Sequence, residues 1–261
     1  MSVATLDRVV FPHPQDGTTL LALERKASLL PEPGHGAYVR AQPFGGGVRI
    51  LNPDTLTSLI GSIRFDSARS QAEQDFRILI PASDWEKVKW FCLQHLDNPH
   101  DAHLESGPDR ELVEEFAEVL GEHLERDQYR YQPGGFVIEN HPVPTTNAYA
   151  HGQPTARIYR IFEVHIEDER LCASMLAASQ EVSDQDLARL ALEDLQSGGK
   201  GRANAVLTLP LSLVCDSYLA LAPKMRYRLI TVAGHQLDES VLAILDDVEV
   251  PQYQRVTARS G

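Results

Sequence analysis

Arg110-Glu111-Leu112-Val113-Glu114-Glu115 decides the reading of this chain. Continued through Phe116 to Leu120, the stretch has the 3.6-residue period of an amphipathic helix, expected over residues 110–126 with Asp109 as its cap. Residues three and four apart share a face. Glu111, Glu114, Glu115, Glu118 and Glu122 therefore line one side, and Leu112, Phe116, Val119, Leu120 and Leu124 the other. Crowding like charges weakens a helix by ~0.2–0.5 kcal/mol per pair unless water or a cation relieves it. A solvated surface face is one reading. The other is a metal site, because hard divalent cations take carboxylate oxygens and bridge them to phosphate.

Upstream, strands are expected at residues 8–11, 18–26, 37–42 and 48–51. Between the last two runs Pro43-Phe44-Gly45-Gly46-Gly47, whose three glycines lose more chain entropy than other residues. Such a run marks a tight turn or a place where backbone comes close to something. Residues 56–63 read as a short helix and 75–80 as a strand. A further helix is capped by Ser83 with Glu86 in capping-box position, and residues 97–108 are a loop. Downstream, residues 129–131 and 135–139 suggest a hairpin about Pro133-Gly134, and 155–167 is the clearest strand. Helices are expected at 169–179, 183–196, 212–221 and 239–248, and strands at 205–209 and 226–233. Strands first and helices later suggest one domain of α+β or α/β/α sandwich type.

Arg110-Glu111-Leu112-x-Glu114-Glu115 resembles the core of the Nudix signature, and Val39 through Gly47 resembles the strand and glycine turn that precede it. Residues 156–166 resemble the strand that follows. The resemblance covers residues 37–170 and implies a metal-dependent hydrolase of nucleoside diphosphate derivatives. On that basis Glu111, Glu114 and Glu115 are metal ligands for magnesium or manganese. Glu111 would be a ligand or the base, with Arg110 orienting it. Gly45, Gly46, Gly47 and Arg40 would meet substrate, as would Arg157 and Arg160, which flank the later strand and suit phosphate. The signature departs from the family in three ways: an insertion of residues 52–108 splits it, Ala102 stands where an acid is expected, and Ala117 replaces the closing glycine. The second reading is a Nudix fold without catalysis, a nucleotide sensor or protein-interaction module of a bacterial signalling or defence system. Residues 1–179 would form the Nudix-like domain, and 180–261 a helix-rich extension packed on it.

Composition narrows the partners. Lys and Arg number 24 against 37 Asp and Glu, for a net charge of −13, which argues against duplex nucleic acid. A nucleotide-type small molecule is expected instead, together with a protein partner or homodimer. Cys92, Cys172 and Cys215 lie far apart in apolar sequence and read as reduced thiols, pointing to the cytoplasm. No apolar stretch approaches a membrane span. His100, Asp101 and His103 offer donors for a transition metal or a base, although a solvated loop explains them as well. Lys200 and Arg202 sit in a glycine-rich loop that lacks the P-loop pattern. No nucleophile elbow and no dinucleotide-binding glycine motif is present.

Overall fold

The structure, a computed structural model, describes residues 1–29, 36–98, 100–121, 123–144 and 152–257, without the side chains of residues 140, 141, 143 and 144. In chain order the elements begin with β1 (Ser2–Pro12), β2 (Thr19–Leu29), β3 (Ala37–Gln42) and β4 (Arg49–Ile50). The insertion holds α1 (Pro53–Ile60), β5 (Arg64–Phe65), α2 (Ala68–Glu73), β6 (Ile78–Leu79), α3 (Trp85–His95) and β7 (Leu104–Glu105). Then come α4 (Asp109–Leu120), β8 (Tyr129–Pro144), β9 (Pro154–Ile166), α5 (Glu169–Glu181) and α6 (Asp184–Gln196). The chain ends with β10 (Arg202–Pro210), α7 (Leu211–Leu219), α8 (Pro223–Arg226), β11 (Ile230–Val232), β12 (His235–Leu237) and β13 (Tyr253–Val256). Among the described residues no helix is long and apolar enough to cross a membrane.

Nine strands form one mixed sheet in the order β11-β12-β3-β2-β1-β9-β8-β13, with β10 on β2. The β1–β9 and β12–β3 pairs are parallel and the others antiparallel. Alternation along each strand builds two cores. Val9, Phe11, Phe162, Val164 and Ile166 pack against Leu112 and Phe116 of α4 and Leu171 and Met175 of α5. Leu6, Val10, Tyr159 and Ile161 turn to the opposite face, where Val214 and Tyr218 of α7 and the 3₁₀ segment Glu239–Ile244 cover them. Burying Leu112 and Phe116 contributes about 1.5–3 kcal/mol each, which fixes the rotation of α4 and hence the direction of its glutamates.

β2 is shared unevenly. Its first residues pair with β1 (Val9↔Ala22) and its last with β3 (Glu24↔Gln42), while β10 runs along residues 20–28. β1 and β3 thus diverge, and the glycine turn lies against β1 in the gap. Thr5 N–H donates to Gly46 O at 2.9 Å, Asp7 N–H to Phe44 O at 2.8 Å and Val48 N–H to Val3 O at 3.1 Å. The insertion begins and ends at one place, because β4 pairs with β7 (Arg49↔Glu105, Ile50↔Leu104). Its apolar residues Leu56, Phe76, Val88, Phe91 and Cys92 share a core with Val3, Phe136, Ile138 and Ile158.

The expected α+β class holds; several local expectations do not. The hairpin about Pro133-Gly134 is one continuous strand, β8, with register shifts at Pro133/Gly135 and Glu139/Val143; the turn residues make bulges, not a reversal. Ser83 makes no cap hydrogen bond to α3, which a 3₁₀ turn precedes. Asp109 is the first residue of α4 and accepts from the hydroxyls of Tyr129 (2.6 Å) and Tyr131 (3.2 Å). α4 stops at Leu120 because Gly121 adopts φ +68°. Glu122 lies outside the described residues. The expected helix at 239–248 is the shorter 3₁₀ segment, and the strand expected at 226–233 narrows to β11. Beyond α6 the chain is woven into the sheet through β10, β12 and β13.

Candidate functional site

The zip between β4 and β7 returns the chain to the glycine turn just before α4 starts, so the two halves of the split motif meet. A Cβ added at Gly46 would lie 2.1 Å from Glu111 Oε2, and one at Gly47 would lie 2.1 Å from Asp75 Oδ1. The turn is a cradle that only glycine leaves open. Gly45, at φ +126°, donates its N–H to Glu115 Oε2 at 2.6 Å. Arg110 pairs with Glu111, with Glu105 at 3.2 Å and with Glu114 at 3.4 Å, and Glu105 also pairs with Arg49 at 3.5 Å. The guanidinium therefore holds Glu111 from one side while the glycines bound it on the other.

The three glutamates are not equivalent. The Glu114 side chain is 61% exposed, Glu111 is 19% exposed, and Glu115 is buried. Burial raises the Glu111 carboxyl above its ordinary value; Arg110 opposes this, and Glu114 and Asp75 add to it. Burial and the neighbouring Glu24 push Glu115 up further, against the Gly45 N–H. Glu24 is itself fully buried and accepts from Lys26 and Gln42. Glu118 stands apart, accepting from Asn204 of β10 at 2.8 Å. One trio of metal-ligating side chains with donor atoms within 4.8 Å of one another exists among the described residues, and it is His95, Asp101 and His103, not the glutamates.

Two acids invisible to motif reading join this site. Asp75, from the insertion, faces Gly47; its Oδ2 meets Arg77 Nε at 3.0 Å, and its buried Oδ1 has no hydrogen-bond partner among the described residues. Burial raises its carboxyl. Asp7, in the middle of β1, is fully buried and neither oxygen is partnered among the described residues. Burial, then Glu111 and Asp109, raise it well above the ordinary carboxylate range. A carboxyl raised in the folded state binds its proton more tightly there than in the unfolded chain. It favours folding at low pH, and that advantage is lost as pH rises through the folded value. Asp7→Asn should therefore raise Tm at mildly alkaline pH, by the several degrees that about 1–3 kcal/mol represents, and leave it nearly unchanged near pH ~4. Thermal melts across that range check it; an Asn variant less stable at every pH would contradict the buried charge.

The glycine turn opens into a cleft of about 1060 Å³, at the upper end for ligand pockets. Lys26, Arg40, Arg69, Arg77, Arg157 and Arg202 line it, together with Asp66, Glu73, Asp75, Asp238 and Glu239. Arg40 stacks over Tyr38 at 4.6 Å and approaches Asp238 at 3.8 Å, and its buried Nε has no partner among the described residues. Arg157 pairs with buried Glu139 at 2.7 Å. Of the residues expected to meet substrate, Gly45, Gly46, Arg40 and Arg157 reach the cleft. Arg160 does not. It is fully buried, stacked on Phe136 and Phe162 at 4.5 and 4.9 Å, and donates to Gly135 O at 2.9 Å, which makes it a brace for the β8 bulge. Facing the sheet, the other cleft wall is the insertion, from Asp66 to Trp85.

A family model described as SMODS-associated NUDIX domain matches residues 34–207 of the chain. Neither the curated proteins nor the solved structures contain a match.

Proposed function

Because the chain belongs to the SMODS-associated NUDIX domain family, we propose that its cleft binds a nucleoside diphosphate derivative and that the glycine-turn site hydrolyses the phosphoanhydride with a divalent cation. The observation that carries this reading is the contact of Glu111 with Gly46 across a 52–108 insertion, which rebuilds the split motif in space. The site suits a hard cation: Asp75 Oδ1 is buried with no hydrogen-bond partner among the described residues, burial and then the nearby carboxylates raise Glu111 against Arg110, and glycine leaves the space beside both. Glu111, Glu114 and Asp75 would hold it, and magnesium or manganese fits all-oxygen donors. Glu115, committed to the Gly45 N–H, secures the turn. Bound there, the cation would neutralise the diphosphate oxygens and favour attack at phosphorus.

The protein's own groups supply the rest. Arg40 and Arg157 attract the phosphates, and Tyr38 offers a ring beside Arg40 for a base. Glu111, beside the cation's place, is positioned to take the proton of the attacking water. Arg110 keeps it aimed. In an assay of such nucleoside diphosphate derivatives, nucleoside monophosphate should be released with magnesium or manganese and not after chelation.

Binding without turnover is the second reading, a nucleotide sensor. It is favoured by one observation: among the described residues neither Glu111, Glu114 and Glu115 nor Glu111, Glu114 and Asp75 bring their donor atoms within 4.8 Å of one another. Nucleotide that binds in the presence of magnesium and is recovered intact would decide for it.

A further inference from the structure

We propose that His95, Asp101 and His103 form a separate transition-metal site, of the zinc class, that braces the insertion against the carboxylate helix. α3 ends at His95, and the following loop folds back so that one donor atom from each of the three residues lies within 4.8 Å of the others. The arrangement is held before any ion arrives. Asp101 Oδ1 accepts the backbone N–H groups of His103 (2.7 Å) and Leu104 (3.3 Å), which aims Oδ2 at His95 Nδ1, 3.0 Å away. Zinc bonds of about 2.0 Å in a tetrahedron put neighbouring donors roughly 3.3 Å apart, close to that separation. The two imidazoles lie 4.5 Å apart at 66°, and Phe91 packs on His95 at 4.5 Å and on His103 at 6.3 Å, which limits the rotation of both.

His103 Nδ1 is buried and has no hydrogen-bond partner among the described residues. An imidazole nitrogen is an expensive group to bury without a partner, and an ion bound through this nitrogen would give it one. Two imidazoles and one carboxylate select zinc, cobalt or nickel over magnesium, so this site and the all-oxygen site at the glycine turn would take different ions. Its position gives it a consequence. His103 O accepts from Leu51 N–H at 2.8 Å and Asn52 N–H at 3.3 Å, and the next residues form β7 against β4. Glu105 of β7 then pairs with Arg110, the partner of Glu111. An ion on the trio would tie together both ends of the insertion and, through Glu105, steady Arg110.

The test is a zinc titration of chelator-treated full-length protein, followed by calorimetry and thermal melts, with cobalt as a spectroscopic probe. One equivalent of zinc should bind and raise Tm, and cobalt should give the visible absorption of a low-symmetry histidine–carboxylate site. His95→Ala and His103→Gln should each weaken zinc binding by at least about tenfold. Asp101→Asn keeps the acceptor for the loop N–H groups and should weaken it too, which keeps the test valid where His95→Ala fails to fold. Glu111→Gln should leave zinc binding unchanged, separating this site from the one at the glycine turn. No zinc bound at one equivalent would overturn the proposal, as would zinc affinity indifferent to His103→Gln and Asp101→Asn, or zinc affinity lost in Glu111→Gln.

Discussion

Glu111→Gln should lower metal-dependent turnover by roughly 10²–10⁴-fold, the range for loss of a positioned proton acceptor, and leave the fold intact. The side chain is 19% exposed and touches Arg110 and the glycine cradle without entering either apolar core. Gln keeps its shape and removes both its charge and its basicity. A carboxylate accepts a proton only in its ionised form, so the wild-type rate should climb with pH as Glu111 loses its proton, and the Gln variant should lose that limb. Stopped assays of nucleoside monophosphate release over a pH series, with circular dichroism as the folding control, give both results. A Gln variant that keeps wild-type turnover and the same pH limb would remove Glu111 from the chemistry.

Neighbouring glycines should respond in opposite ways to the same methyl group. At Gly45, with φ +126°, a Cβ would sit 2.2 Å from Thr5 O, a backbone atom of β1 that cannot move aside without opening the sheet. Gly45→Ala combines that clash with an unfavourable backbone conformation and should cost about 3–5 kcal/mol, on the order of 10 °C in Tm for a chain of this length. At Gly46 the obstacle is the end of the Glu111 side chain, 2.1 Å away and able to swing. Gly46→Ala should change stability by about 1 kcal/mol or less and yet displace the carboxylate, reducing turnover as severely as Glu111→Gln does. Melts and assays on the two variants read the contrast directly. Equal stability losses would mean that the turn does not lie against β1 and Glu111 as described.

What was legible in the sequence was whatever a local period carries. α4 could be read because Leu112, Phe116 and the glutamates repeat every three to four residues, and β9 because β-branched and aromatic residues fill 155–166, alternating with Glu163 and His165 at its end. Pro133-Gly134 misled because the same two residues serve a reversal or a bulge, and only pairing with β9 over both halves of β8 decides between them. Asp7 and Asp75 were missed for a different reason. Asp7 sits in an apolar strand and Asp75 inside the insertion, and they approach Glu111 only because β1 pairs with the glycine turn and β4 zips to β7. Ala102 at the expected acid position marked a gap in the motif without saying what filled it. Arg160 was placed at the substrate by its neighbour Arg157; strand alternation sends the two to opposite faces, one to the cleft and one between Phe136 and Phe162.

In the proposed site an acid from the insertion, Asp75, and an acid from α4, Glu111, act on one cation across the split motif. Manganese affinity measured for wild type, Asp75→Asn, Glu111→Gln and the double variant tests it most directly. Each single change should weaken binding by about tenfold, and the double should be scarcely weaker than the worse single, the non-additivity of residues that share one ligand. Affinity untouched by Asp75→Asn, or losses that simply add, would contradict a cation shared by Asp75 and Glu111.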